Sequence, residues 1–196
     1  DLGSEDAEGA AAWLKDKLSS LGVEYSAESV RVPYGERRVA VENIWVVLPG
    51  ASPGTIVFSA PRDPAADPRL SALAQAAPTA CLIDLIQVFA ARSHQRTLVF
   101  LSSEGGSQGG LGLSAFLRSY AEPGRIESVI SVHALGMEGR DFLQAGITGP
   151  GVTTPGWLVE TATRVLSRAN LDLRLPNLQE QIADQALRLY SGEQVA

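Results

Sequence analysis

Apolar residues in the first sixty positions recur first with the period of a helix and then in short, strand-like runs. Ala11, Leu14, Leu18 and Leu21 lie three or four residues apart, which is the spacing of one helix face. Gly22 is a typical residue just beyond a helix C-terminus, so it predicts the end of this helix. The runs that follow predict strands over residues 23–32, 38–48 and 55–60.

Strands and helices continue to alternate through the rest of the chain. The spacing predicts helices over residues 78–92, 155–169 and 176–190, and one more that begins near Leu111. Short apolar runs predict further strands over residues 97–102, 126–135, 141–147 and 171–175. This alternation favours an α/β fold, in which helix layers cover a mixed, mostly parallel sheet.

The two most apolar predicted strands, 55–60 and 97–102, are expected to be central, adjacent, parallel and buried on both faces. The predicted helix 78–92 lies between them in sequence and is long enough for a right-handed crossover. On that helix Cys81 shares a face with Val88. We therefore expect the Cys81 thiol to be buried and slow to react.

An acidic residue follows the predicted strand 97–102 inside a glycine-rich turn. Glu104 is thus expected at the carboxyl end of a central strand, where open α/β sheets hold their ligands. The proline-rich stretch 61–68 follows strand 55–60 and is expected at the same edge of the sheet. The turn matches neither the dinucleotide-binding fingerprint nor the P-loop, so a phosphate site is not favoured. Glu104 is therefore the first candidate for an active-site residue.

Charge and composition narrow the classes of partner. The chain has 196 residues, an ordinary size for one domain, and a net charge of −6. It has no cluster of Lys and Arg, which disfavours a nucleic-acid partner. No apolar run approaches the roughly 20 residues of a membrane-spanning helix, so we expect no membrane insertion within this segment. His94 and His133 are too far apart in sequence to form a metal-spaced pair.

Five stretches, in order along the chain, carry a resemblance to a known family. They are Gly3-Ser4, VENIWVVLPG at 41–50, IVFSA at 56–60, the stretch 97–117, and VISVHALG at 129–136. Together they resemble the zinc-dependent aminopeptidase and glutamate carboxypeptidase family of metallopeptidases. Noncatalytic relatives in that family include the transferrin receptor, nicastrin and a transamidase subunit. The resemblance covers nearly the whole chain and implies a three-layer α/β/α sandwich.

The resemblance also implies a site for two zinc ions, with protein ligands, a bridging carboxylate and a glutamate as general base. By this resemblance Glu104 matches the general base. Pro61, Gln75 and Gly105 stand where a histidine, the bridging aspartate and a glutamate ligand are expected, and none of them can replace its counterpart. His133 stands at an aspartate ligand position and is the one residue there that keeps a competent donor.

We therefore expect the zinc to be lost, with no metal and no cofactor. Asp63 matches an aspartate that lies behind the first ligand, and the last histidine position falls at Gln194. Without dications, Asp63 and Glu104 each need another partner: Arg62, a backbone donor at the helix start, or water. The expected vestigial pocket, at the carboxyl edge of the sheet, consists of Pro61, Asp63, Gln75, Glu104, Gly105 and His133.

The function that we expect is that of a catalytically inactive metallopeptidase-like domain, acting as a binding or scaffolding module. Residues 1–196 are expected to form a single peptidase-like domain whose last strand lies beyond residue 196. The expected partner is a protein or a peptide. Analogy with the family alone suggests a location outside the cytoplasm, or a membrane anchor in flanking segments.

Two alternatives remain open from the sequence. One is a hydrolase or aminopeptidase with a rebuilt site that uses Asp63, Glu104 and His133, with or without a single metal. The other is a small-molecule pocket left where the zinc ions were. Convergence of three polar side chains within hydrogen-bond reach would favour the enzyme.

Overall fold

A computed structural model describes residues 4–63, 72–120, 123–132, 142–144, 156–168 and 172–174. The chain divides into two compact units, residues 1–137 and residues 138–196. Each unit is described by itself. The single domain over residues 1–196 stays a prediction.

The first unit contains helices on a five-stranded sheet, counted over its described residues. Its helices are α1 (Glu5–Ser20), α2 (Ala72–Ala90) and α3 (Leu111–Ser119), with one short 3-10 helix at Pro123–Arg125. Its strands are β1 (Ser26–Tyr34), β2 (Arg37–Leu48), β3 (Ser52–Pro61), β4 (Arg96–Ser103) and β5 (Ile126–Ser131).

The sheet is mixed, with the order β1-β2-β4-β3-β5. Strand β3 pairs in parallel with β4 and with β5, whereas β2 pairs antiparallel with β1 and with β4. Val57 of β3 and Val99 of β4 are 0% exposed and stand opposite each other. The predicted α/β fold is confirmed, and so is the prediction that these two strands are adjacent, parallel and internal to the sheet.

Alternate residues of the central strands face two different helix layers. Leu14 of α1 and Ile86 of α2 belong to one buried cluster with Phe100 of β4. Phe116 of α3 belongs to a second cluster, with Val99 of the same strand. Because successive side chains of a strand point to opposite faces, α3 covers the face that α1 and α2 do not. This arrangement gives three layers, with the sheet in the middle.

Helix α2 departs from its prediction in two ways. It begins at Ala72 and not at residue 78, so Pro78 lies inside the helix. The prediction of a buried Cys81 was wrong, because this thiol is only half-buried and Val88 is 44% exposed. Helical geometry explains the exposure of Val88. Ile86 faces the sheet, and Val88 is two residues, or about 200°, further round the helix.

The second unit contains a strand, a helix and a strand among its described residues. Strand β6 (Phe142–Gln144) pairs in parallel with β7 (Asp172–Arg174), and helix α4 (Gly156–Arg168) lies between them in sequence. These elements match the predicted strands 141–147 and 171–175 and the predicted helix 155–169, although both strands are shorter. The predicted helix 176–190 lies outside the described residues. In the described part of the chain, no helix is long and apolar enough to cross a membrane.

Candidate functional site

The candidate site lies at the carboxyl edge of the central parallel strands. Pro61, the last residue of β3, stands opposite Ser103, the last residue of β4. The segments that follow, with Arg62 and Asp63 after β3 and Glu104 after β4, therefore leave the sheet side by side. The main-chain N–H of Arg62 donates to the carbonyl of Ser103 at 2.8 Å and extends the parallel pairing by one bond.

Asp63 is bound by the glycine-rich loop that precedes α3. The N–H of Gly106 donates to Oδ1 at 2.8 Å, and the N–H and hydroxyl of Ser107 donate to Oδ2 at 3.0 and 2.9 Å. This carboxylate thus takes up the backbone donors with which such a loop could bind an external anion. A Cβ atom at Gly106 would collide with the ring of Pro61, so the close approach requires glycine there.

Glu104 is buried, with 7% of its surface exposed. Its Oε2 accepts a hydrogen bond from the main-chain N–H of Glu42 at 2.9 Å. The ladder between β2 and β4 ends at the pair Asn43 and Ser103, so the carboxylate satisfies the next backbone donor of β2. Its own carbonyl accepts from the N–H of Gly112 at 2.9 Å, which fixes the start of α3 against the strand end.

Arg62 is buried at this edge, and its side chain is 4% exposed. One guanidinium nitrogen, Nη1, donates to the carbonyl and the hydroxyl of Ser102 at 2.7 and 3.3 Å. The other, Nη2, donates to the carbonyl of Glu42 at 2.7 Å. Burial lowers the pKa of Arg62, while the nearby carboxylates of Glu42, Glu104 and Asp63 oppose that shift. A cation is therefore enclosed among acidic side chains.

Glu42 connects this buried cluster with the protein surface. Its Oε1 lies 2.6 Å from Nζ of Lys15 on α1, and its Oε2 lies 3.9 Å from Nη2 of Arg62. The carboxylate is about a quarter exposed, so its pairing with Lys15 is screened by water. The contribution of Glu42 to the buried cluster comes mainly from its backbone, which binds both Glu104 and Arg62.

The structure brings together four of the six residues of the predicted pocket. Pro61, Asp63, Glu104 and Gly105 lie at one edge of the sheet. Gln75 belongs to the first turns of α2, and its side chain is outside the described part of the structure, as is the whole of His133. Asp63 and Glu104 do have backbone donors as partners, but these are not at the start of a helix: Asp63 is bound in the loop before α3, and Glu104 is bound by β2.

The described residues of this edge do not fit a zinc ion. Pro61 and Gly105 carry no side-chain donor. Within the described ranges, no three His, Cys, Asp or Glu side chains are grouped as metal ligands are. The guanidinium of Arg62 already brings a positive charge to the neighbourhood of Glu104. A dication would meet that charge as well as the carboxylates.

Sequence reasoning missed the roles of Glu42 and Asn43. Asn43 is 1% exposed and its Nδ2 donates to the carbonyl of Gly112 at 2.8 Å, which ties β2 to the start of α3. A signal was available, because Asn43 directly precedes the apolar run 44–48 of β2, and buried amides are rare unless they are hydrogen-bonded. No local pattern marks Glu42, because its backbone makes the contacts.

Solved structures with the same fold include enzymes of two named kinds. The glutaminyl cyclase of an Acidobacteriales bacterium aligns with a TM-score of 0.69 at 16% identity, over 95% of this chain and 69% of that one. The Porphyromonas gingivalis glutaminyl cyclase aligns with a TM-score of 0.68 at 13% identity, over 90% of this chain and 67% of that one. A Zn-dependent exopeptidase from Parabacteroides distasonis aligns with a TM-score of 0.58 at 11% identity, over 74% of this chain and 58% of that one.

These likenesses establish the fold, which is zinc-peptidase-like, as the sequence resemblance implied. At such low identities they establish the fold alone. The chain spans about two thirds of the length of the two glutaminyl cyclases. No family model and no curated protein matches the sequence.

Proposed function

We propose that this protein is a catalytically inactive member of the zinc-peptidase-like fold that acts as a binding or scaffolding module. The observation that carries the proposal is the position of Glu104, the residue that the resemblance equates with the general base. Its carboxylate is buried and satisfies the backbone N–H of Glu42. A general base instead needs to reach a substrate or a water molecule with that oxygen.

The ligand positions support the same proposal. Pro61 and Gly105 offer no side-chain atom to a metal ion, and zinc sites of this kind need several nitrogen or carboxylate ligands. Arg62 adds a buried positive charge to the same edge. Together these features favour a protein that binds no zinc with useful affinity and needs no cofactor.

The rival hypothesis of a rebuilt hydrolase would use Asp63, Glu104 and His133. The contacts of Asp63 weigh against it, because both carboxylate oxygens are bound to Gly106 and Ser107. A carboxylate held in this way fixes a loop and is poorly placed to bind a metal or transfer a proton.

The proposed partner is a protein or a peptide, and the proposed location is outside the cytoplasm or on a membrane-anchored protein. Both proposals rest on analogy with the noncatalytic relatives named above. Affinity capture with the full-length chain, followed by a binding measurement with the purified candidate, tests the first. Localisation of the tagged full-length protein in cells tests the second.

Metal analysis combined with activity assays tests the loss of catalysis. Protein purified without added metal is expected to contain far less than one zinc per chain. It is expected to be inactive on a panel of aminopeptidase substrates and in a glutaminyl cyclase assay, with an active glutaminyl cyclase as positive control. The Glu104→Gln variant should show the same lack of activity as the wild type, whatever its effect on stability, because Glu104 is not expected to act as a base. Stoichiometric zinc, or turnover that Glu104→Gln abolishes, would overturn the proposal.

A further inference from the structure

The guanidinium of Arg62 is buried and hydrogen-bonded to two strands of the sheet, although Arg62 itself lies in the segment after β3. Arg62 follows β3 directly, and its side chain reaches the end of β4 and the middle of β2. It donates to the carbonyl of Ser102 at 2.7 Å and to the carbonyl of Glu42 at 2.7 Å. One residue thus joins the ends of β3 and β4 to the middle of β2.

Glu104 and Arg62 both bind the backbone of Glu42 in β2, one at its N–H and the other at its carbonyl. The N–H of Glu42 donates to the Glu104 carboxylate, and its carbonyl accepts from the Arg62 guanidinium. In an antiparallel pair, both groups of one residue point towards the same neighbouring strand. Here that strand has ended, so an anionic and a cationic side chain complete the ladder in its place.

Burial makes this arrangement depend on charge balance. The side chain of Arg62 is 4% exposed and Glu104 is 7% exposed, so neither charge is well solvated. An ionised group in such a place is costly unless an opposite charge and hydrogen bonds compensate it. Burial lowers the pKa of Arg62, and Glu42, Glu104 and Asp63 each raise it, which identifies the compensating charges.

We propose that the Arg62 guanidinium is the resident cation of this edge, supplying to Glu104 a balancing positive charge where the sequence resemblance implies a zinc ion. This inference rests on the proposed function, because it states what replaces the metal. Arg62 is accordingly a positioning residue: it holds Glu104 and the Glu42 backbone of β2 in place. The edge is closed to cations because it already holds one.

A double-mutant cycle on thermal unfolding tests the assignment. Arg62→Met removes the charge and keeps an unbranched side chain, and Glu104→Gln removes the opposite charge but keeps an acceptor for Glu42. Arg62→Met alone is expected to lower Tm by roughly 10 °C, since it leaves buried acid without its counter-charge. The fall in Tm of the double variant is expected to be smaller than the sum of the two single falls by about 3 °C or more.

Arg62→Lys separates charge from shape. Lysine keeps the positive charge but loses the planar fork, so its Tm should lie well above that of Arg62→Met and below that of the wild type. If Arg62→Met fails to fold, the comparison of Arg62→Lys with Arg62→Gln decides the question in its place. Equal losses for the charged and the uncharged replacement would overturn the inference.

The exposed pair Arg164 and Glu160 on α4 provides the matched control. Its atoms lie 2.8 Å apart, but its side chains are 62% and 74% exposed. Arg164→Met and Glu160→Gln should each shift Tm by no more than about 2 °C and should be additive. Additivity in the Arg62 cycle as well would overturn the inference.

All unfolding measurements are made in the presence of a chelator, so that the coupling between Arg62 and Glu104 is measured without metal. Failure of the inference and failure of the proposed function are then distinct. Additive Arg62 and Glu104 variants in a protein without zinc would contradict the inference alone. Stoichiometric zinc in the metal analysis would contradict the proposed function and, with it, the role of Arg62 as the resident cation.

Discussion

Asp63 and Gly106 are joined by a hydrogen bond of 2.8 Å across 43 positions of the sequence. The bond runs from the Gly106 N–H to Oδ1 of Asp63 and ties the segment after β3 to the loop after β4. The resemblance to zinc-dependent metallopeptidases implies metal ligands that join these two segments. Here backbone donors and a carboxylate do so, and this difference can be probed one residue at a time.

Replacement of Asp63 by asparagine should loosen the glycine-rich loop. Asparagine keeps the size of the side chain but replaces the charged carboxylate, which accepts hydrogen bonds from Gly106 and Ser107, with a neutral amide. The expected cost is about 1–2 kcal/mol in the free energy of unfolding. Hydrogen exchange should become faster at the amides of Gly106 and Ser107. Asp84→Asn, at an exposed position of α2, is the control and should leave both amides unchanged. Unaltered protection in Asp63→Asn would show that this carboxylate does not hold the loop.

Replacement of Gly112 by alanine should be strongly destabilising. A Cβ atom there would lie 2.7 Å from Oδ1 of Asn43 and would collide with the carbonyl oxygen of Glu104. Because backbone cannot move aside as a flexible side chain can, we expect a loss of about 2–3 kcal/mol in chemical denaturation. Gly9→Ala is the opposite case: it lies within α1 with open space around it, and should stabilise by about 0.5–1 kcal/mol. A neutral Gly112→Ala would contradict the close packing of α3 on β2.

Replacement of Leu82 and of Val88 by alanine should distinguish the two faces of α2. Leu82 is 1% exposed and belongs to the core cluster, so its truncation should cost about 2–5 kcal/mol. Val88 is 44% exposed, and its truncation should change the free energy of unfolding by no more than about 0.5 kcal/mol. Similar losses at both positions would mean that α2 is rotated from the orientation described above.

Alkylation of Cys81 should show a pH profile displaced towards high pH. Burial raises the pKa of the Cys81 thiol, and the negative charge of Asp84 raises it further. Since the thiolate is the reactive form, the rate should reach its midpoint at a higher pH in the native protein than in the protein unfolded by denaturant. Asp84→Asn removes the second cause, so its midpoint should lie below that of the native wild type. Coincident native and unfolded profiles would be evidence against the shift.

The pattern of apolar residues was sufficient to predict the fold class and the order of the elements that the structure describes. Strands β3 and β4 were predicted as a central parallel pair, because runs buried on both faces are apolar at every position. Element ends were less accurate: the chain passes through Pro78 within α2, where tertiary packing of Leu82 and Ile86 outweighs the local cost of proline. The half-buried position of Cys81 was missed for a related reason, since a nearly all-apolar helix does not reveal which face meets the sheet.

The sequence by itself determined that Pro61 and Gly105, which the resemblance places at zinc-ligand positions, offer no side-chain donor in any fold. It also indicated that Asp63 and Glu104 would need other partners. Only the tertiary structure decided which ones. Asp63 is bound by Gly106 and Ser107, and the backbone of Glu42 in β2 is bound by both Glu104 and Arg62. An arginine in a proline-rich loop is expected to be solvated. Arg62 is buried because β3 and β4 end together beside the middle of β2, and no local pattern in the sequence encodes where those strands meet.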